Sequence, residues 1–229
     1  MTASRMDRPL FDVVVVGAGP AGIATALALQ HVGATVALAG PPPPTAALPR
    51  PETRTAALLS NSVDFLKRLG VWDQLAPDAA PLTAIRLVVA SRSLLRSPDI
   101  SFEARELGLA TFGFNIANTT LNAVLYDRAR EVIPHVVCET IETVSLDDDQ
   151  AALTLGTGEQ LKARLVAGAD GRRSVCRQAA NIETRDWRYD QSAIASSFRH
   201  SLPHEGVATE LHREGGSVTS VPTPEPRTS

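Results

Sequence analysis

Residues 11 to 39 constrain this chain more than any other stretch. They read Phe-Asp-Val-Val-Val-Val-Gly-Ala-Gly-Pro-Ala-Gly, then an Ala- and Leu-rich run, then Ala34-Thr-Val-Ala-Leu-Ala. Val13 to Val16 is an unbroken β-branched run, the pattern of a strand buried on both faces of a parallel sheet. Gly17, Gly19 and Gly22 follow at once. Gly17 lets the chain turn sharply, Gly19 leaves room for a pyrophosphate against the backbone, and Gly22 lets the next helix pack closely. Pro20 and Ala21 open that helix. Proline suits a first-turn position, where no N–H is needed. The free N–H groups and the positive end of the helix dipole face whatever phosphate sits in the turn. Gly33 ends the helix, and Thr35 to Ala39 reads as a second strand. A glycine triplet alone is a weak signal. The strand before it and the helix and strand after it make it a dinucleotide-binding βαβ unit.

Charge and composition add exclusions. A net charge of −3 leaves no basic footprint for nucleic acid. No apolar run approaches the ~20 residues of a membrane-spanning helix. Cys138 and Cys176 stand in no metal or redox spacing and read as buried or incidental thiols. His200 and His204 are separated by Pro203, which breaks a shared helix face, and read as exposed loop histidines. Asp147, Asp148 and Asp149 read as a solvated hairpin turn, since no further ligands follow at loop spacing. There is no nucleophile–base arrangement for hydrolysis.

Where the second strand ends, a dinucleotide fold places Asp or Glu to hold the adenosine ribose. This chain has Gly40, then Pro41 to Pro44, and no carboxylate before Glu52. Gly40 to Pro51 reads as an extended, polyproline-like loop, and residues 1 to 9 as a disordered leader. Thr55 to Leu69 reads as an amphipathic helix closed by Gly70. Arg54 precedes it, either reaching a phosphate or simply solvated. Ala84 to Ala90 reads as a strand, Arg92 to Ala104 as an uneven hairpin, and Thr119 to Val132 as a helix stopped by Pro134.

Val136 to Val144, Ala151 to Leu155 and Gln160 to Val166 form a β-meander. Its last strand runs into Ala169-Asp170-Gly171. A carboxylate at the end of a parallel strand lies where open α/β sheets bind ligands. Asp170 either accepts from a ribose hydroxyl or caps the next helix. Gly171 allows close backbone approach, and Arg172 and Arg177 add positive charge. The early glycine loop and this late loop are expected to meet in one crevice. Ser192 to Phe198, Val207 to Leu211 and Ser217 to Val221 read as strands of a second sheet.

Four segments carry a family resemblance: the glycine motif, Glu52-Thr-Arg54 with Ala57-Leu58-x-Ser60, Leu69-Gly70-Val71-Trp72, and Ala169-Asp170-Gly171-Arg172-x-Ser174-Val175-x-Arg177. Together they resemble the FAD-dependent aromatic-ring hydroxylases, the group A flavin monooxygenases. Tyr189-Asp190-Gln191 and Pro203-His204-Glu205-Gly206 are similar to the ubiquinone-biosynthesis branch. The resemblance implies an α/β fold (α+β overall) in two interleaved parts. One is a discontinuous Rossmann-like FAD-binding domain over residues 8–80 and 115–183, with a parallel sheet and a β-meander. The other is a mostly β, partial substrate domain over 81–114 and 184–229. FAD would be held by Gly17, Gly19, Pro20, Ala21, Gly22, Arg54, Asn122, Asp170 and Gly171, with Asn122 standing where the family has a glutamine. The implied chemistry uses NAD(P)H and O2 to hydroxylate a simple or prenylated phenol of the ubiquinone-precursor kind. It implies a cytoplasmic protein, at most peripheral to the inner membrane, with no nucleic-acid partner and no metal. No side chain is singled out as catalytic.

Two departures accompany the resemblance. Gly40 replaces the ribose-binding acid, and the family's later Gly-Asp motif is missing, since the sequence has no Gly-Asp pair. The sequence therefore looks like the N-terminal part of such an enzyme. Two other readings stay open: a non-catalytic FAD- or nucleotide-binding module, and a flavin-dependent reductase of prenyl chains.

Overall fold

A computed structural model describes residues 9–44, 53–90 and 97–229. The expected leader up to residue 8, the expected polyproline-like loop past Pro44 and the first part, up to residue 96, of the expected 92–104 hairpin lie outside the described residues. In chain order the strands and helices are β1 (Leu10–Val16), α1 (Pro20–His31), β2 (Val36–Ala39), β3 (Thr55–Leu59), α2 (Ser60–Arg68), α3 (Trp72–Leu75), β4 (Ala79–Leu82), β5 (Ala84–Ala90), β6 (Ile100–Glu103), β7 (Gly113–Ala117), α4 (Asn118–Val132), β8 (His135–Val137), β9 (Ile141–Leu146), β10 (Ala151–Leu155), β11 (Gln160–Gly168), α5 (Val175–Ala179), β12 (Val207–Arg213) and β13 (Gly216–Ser220). The chain divides into two compact units. One comprises Met1–Ala47 and Asn122–Gln191, the other Leu48–Leu121 and Ser192–Ser229.

The first unit is built on a six-stranded sheet in the order β8-β2-β1-β11-β10-β9. β8, β2, β1 and β11 run parallel, and β10 and β9 continue the sheet antiparallel. Val13 to Val16 are all buried, as an unbroken β-branched run in a central parallel strand must be. Val14 and Val16, on one face of the sheet, join Phe11, Ala37, Leu153, Leu155 and Ala163 in one apolar core. Full burial of a Val or Leu side chain stabilises by roughly 1.5–3 kcal/mol, so these central strands fix the position of the loops at their ends. Asp12 ties the start of β1 to the approach to β2: its Oδ2 accepts from the Thr35 N–H at 2.9 Å and from the Thr35 hydroxyl at 2.6 Å.

One expected strand of this unit is two. Val136 to Val144 is interrupted between β8 and β9, because its halves have different partners. β8 pairs parallel with β2 at one edge of the sheet, and β9 pairs antiparallel with β10 at the other. A chain crossing from edge to edge cannot stay one strand.

The second unit holds a three-stranded sheet, β3-β7-β4, and a four-stranded one, β13-β12-β5-β6. The expected helix from Thr55 to Leu69 begins only at Ser60. Thr55–Leu59 is β3, laddered antiparallel to β7 from Thr55↔Ala117 to Leu59↔Gly113. A short Thr-Ala-Ala-Leu-Leu run carries no decisive periodicity, so the available ladder partner decides. The close pairing needs a bare residue on β7, since a Cβ on Gly113 would lie 2.0 Å from the Leu58 carbonyl oxygen. α2 buries Val63 and Leu66, and Leu69 just after it is buried too, in keeping with the expected apolar stripe.

Ser192 to Phe198 forms no ladder either. It is irregular and exposed, with Ile194 at 94% exposure; at its end Phe198 exchanges hydrogen bonds with Ser229, beside the isolated bridge Arg199↔Thr228. Alternation predicts a strand only where a partner edge is free. The edge of β5 is taken by β12, which pairs with it in parallel from Val207↔Ala84 to Arg213↔Ala90.

Candidate functional site

At the carboxyl ends of β1, β2 and β11, in the first unit, the structure opens a cavity of about 510 Å3. One wall is the Gly17–Ala18–Gly19 turn, and a second is Gly40 to Pro44. A third is Asp170, Gly171 and Arg173, and Asn122 of α4 closes the ring with Thr140 and Ile141. The early and late loops therefore meet. The Ala169 N–H donates to the Val16 carbonyl at 2.7 Å, continuing the β1–β11 ladder into the site.

Gly17, Gly19, Asn122, Asp170 and Gly171, flagged in the sequence, are thus brought together. Pro20 and Ala21 form the exposed first turn of α1, with Gly22 buried beneath. Arg54 lies in the second unit, just before β3, where its carbonyl accepts from the Asn118 N–H at 3.1 Å. The Gly40–Pro44 wall, Thr140 and Arg173 are lining residues that sequence reading missed. The four consecutive prolines were the one visible sign of that wall. Thr140 reaches the cavity only because of the break between β8 and β9.

The glycines serve different ends. A Cβ on Gly17, whose φ is +111°, would lie 2.3 Å from the Ala169 carbonyl oxygen. A Cβ on Gly22 would lie 1.9 Å from the Gly17 carbonyl oxygen. Both are bare so that the two loops and the helix can close on each other. Gly19 has extended backbone, and nothing lies within 4 Å of where its Cβ would be. The protein itself does not require glycine there, and the space it leaves open is cavity.

Of the two roles that the sequence left open for Asp170, the structure shows the helix cap, made with one oxygen. Oδ2 accepts from the Val175 N–H at 2.7 Å and the Cys176 N–H at 3.2 Å, capping the first turn of α5. Ser174 Oγ caps the same turn by accepting from the Arg177 N–H at 2.9 Å. Asp170 Oδ1 is buried and has no hydrogen-bond partner among the described residues. Burial opposes the charge on Asp170, but the hydrogen bonds from Ser174 and from the Cys176 and Val175 backbone outweigh it and hold the carboxyl below the usual carboxylate range. The group is an anion at neutral pH with one oxygen committed. Asn122 Oδ1 is likewise buried without a partner. Burying an acceptor unpaired costs about 1–3 kcal/mol, and two such oxygens belong to residues lining one cavity.

The histidines are not exposed as expected: His200 and His204 are both half-buried. Cys138 is exposed, beside the Tyr126 hydroxyl at 3.0 Å, and Cys176 is half-buried. Burial and the Asp170 charge push the Cys176 thiol up to about 11, so it is inert at neutral pH. His204 is half-buried rather than exposed. Its Nδ1 accepts from the Gly206 N–H at 3.0 Å while Nε2 faces the Thr223 and Glu225 carbonyls, which fixes Nε2 as the protonated nitrogen.

A family model described as an FAD binding domain matches residues 11–226. The chain belongs to that family. This FAD-binding-domain protein is 30% identical over 221 residues to the ubiquinone hydroxylase UbiL of Rhodospirillum rubrum, covering 95% of this chain and 50% of that protein. It is 35% identical over 193 residues to the 3-demethoxyubiquinol 3-hydroxylase of Escherichia coli, covering 82% of this chain and 48% of the other. The chain spans about half the length of the curated relatives it matches. In fold it is similar to a mutant of PqsL from P. aeruginosa, with a TM-score of 0.73 at 19% identity over 93% of this chain and 58% of that one.

The cavity fits the cofactor that the family is named for. FAD carries ribose, ribityl and ring N–H donors that would satisfy the unpaired Asp170 Oδ1 and Asn122 Oδ1. Its pyrophosphate suits the open space over Gly19, at the first turn of α1. Among the described residues, no helix is long and apolar enough to cross a membrane.

Proposed function

We propose that this chain is the FAD-holding part of a hydroxylase that acts on an electron-rich aromatic ring, a phenol of the ubiquinone-precursor kind. The observation that carries the reading is the cavity that the Gly17–Gly19 turn lines together with Asp170 and Asn122, each of which holds a buried side-chain oxygen without a partner among the described residues. The first unit holds the cofactor, through Gly17, Gly19, Pro20, Ala21, Gly22, Asn122, Asp170 and Gly171. The second unit carries the substrate surface and Arg54. The names of the ubiquinone-pathway relatives support the substrate class.

Bound FAD would supply the redox chemistry: NAD(P)H and O2 give one oxygen atom to a ring C–H as hydroxyl and the other to water, leaving NAD(P)+. The chain's own residues bind and orient. The Gly17–Gly19 turn and the start of α1 receive the pyrophosphate. Asp170 Oδ1 accepts from a hydroxyl while Oδ2 stays fixed by the α5 backbone. Asn122 Oδ1 accepts from a second donor, and the proline wall keeps water off that side. No membrane-spanning helix is needed; a lipid-soluble phenol would bring the protein to a membrane surface only peripherally.

Purified chain titrated with FAD should take up flavin with a perturbed visible spectrum. It should then oxidise NAD(P)H faster when a prenylated or simple phenol is added, with consumption of O2. No flavin uptake sinks the reading. A second reading is an FAD-binding module without turnover. It predicts FAD uptake with no phenol-dependent NAD(P)H oxidation.

A further inference from the structure

The wall that follows β2 lacks the group with which a dinucleotide site reads the adenosine ribose. That group is an Asp or Glu at the strand end, accepting from the ribose hydroxyls. Here the position is Gly40, and the structure leaves no room for a side chain there: a Cβ would lie 2.7 Å from Ala18 N and 3.1 Å from Gly17 Cα. The Gly40 N–H is already given to the Val137 carbonyl at 3.0 Å. Pro41 to Pro44 carry the same wall onward. Proline has neither an N–H nor a polar side-chain atom, so this stretch offers a ligand only carbonyl oxygens and apolar rings. The unpaired side-chain acceptors belong to other walls, on Asp170 and Asn122, and the cation is Arg173.

Building on the FAD reading above, we infer that this site does not read the 2′ position of the adenosine ribose. Adenosine diphosphates lacking the 2′-hydroxyl, or carrying a phosphate on it, bind as tightly as ADP. Among the described residues, the wall from Gly40 to Pro44 carries no carboxylate to bond the hydroxyl and none to repel a 2′-phosphate. Affinity comes instead from the pyrophosphate over Gly19 and from the acceptors across the cavity, and the prolines contribute contact without selecting hydroxyls.

The test is calorimetric titration of the whole chain with FAD, ADP, 2′-deoxy-ADP and adenosine 2′-phosphate 5′-diphosphate. The three ADP ligands are expected to agree within about threefold in Kd. An acid reading the 2′-hydroxyl would weaken 2′-deoxy-ADP by roughly tenfold or more, the size of one hydrogen bond to a charged group. A tenfold loss for either modified ligand therefore overturns the inference. If FAD binds and no ADP ligand does up to millimolar concentration, the inference falls and the FAD reading stands. If FAD does not bind either, both fall.

Discussion

Gly17 and Gly19 stand two positions apart in one motif, yet they answer to different constraints. Gly17 is held at positive φ with the Ala169 carbonyl where a Cβ would go. Gly17→Ala should cost about 3 kcal/mol or more, from backbone strain plus overpacking. Gly19→Ala meets nothing within 4 Å and should cost under about 1 kcal/mol, the difference between glycine and alanine at a helix N-cap. It should nonetheless weaken FAD binding by filling the space over the turn. Urea unfolding and FAD titration of the two variants separate these effects, and equal loss of stability in both would contradict the assignment. Asp170 carries a pH signature. Its folded carboxyl lies below its ordinary value of 3.8, so its stabilisation is present above that value and is lost as pH falls through the folded-state value. Asp170→Asn should be less stable than the parent by about 1 kcal/mol at pH 7, the worth of a capping interaction. That gap should close on acidification below 3.8. A gap that is constant from pH 7 to pH 3 would show that the charge is irrelevant to the cap.

At the scale of the element, α5 is the fragile part of the site. It spans only Val175–Ala179, too short to be stable by propensity, and depends on its caps. Ser174 Oγ holds the Arg177 N–H, and Asp170 Oδ2 holds the two donors before it, the Val175 and Cys176 N–H. Ser174→Ala should therefore cost about 1 kcal/mol. It should also raise hydrogen exchange at Val175 to Arg177 without altering exchange in β1 or β2. The contrast between α5 and β1 explains which elements were legible. β1 is legible from its unbroken β-branched run, and β10 and α4 because buried Ala151, Leu153 and Leu155 alternate in the one and Leu121, Leu125 and Ala129 fall four apart in the other. β3 was read as helix because its run fits either period and only its ladder to β7 settles the matter. Ser192 to Phe198 was read as strand because alternation reports a conformation that the chain can adopt, not whether a neighbouring edge is free.

For the whole molecule, a ligand that binds only the folded state stabilises it by mass action. FAD at a hundred times its Kd should add about 2.7 kcal/mol and raise the melting temperature by roughly 5–10 °C for a chain of this size. Exchange protection should concentrate at residues 17–22 and 169–177. A shift without protection at those residues would place FAD elsewhere. The βαβ opening, the family and the presence of a second loop ending in Asp170 were set by sequence alone, because each depends on local matters: residue bulk, backbone freedom and spacing along the chain. Several things were decided only when strands separated by more than a hundred residues came into register. β1 found β11 as its parallel neighbour, which carried Asp170 to Gly17. One carboxylate oxygen was consumed by a helix while the other was left buried and unpaired. Gly40 came to lie against the first turn, so that no acid can stand there. These outcomes depend on which atoms meet across the sheet, and distance along a chain does not encode distance through a core.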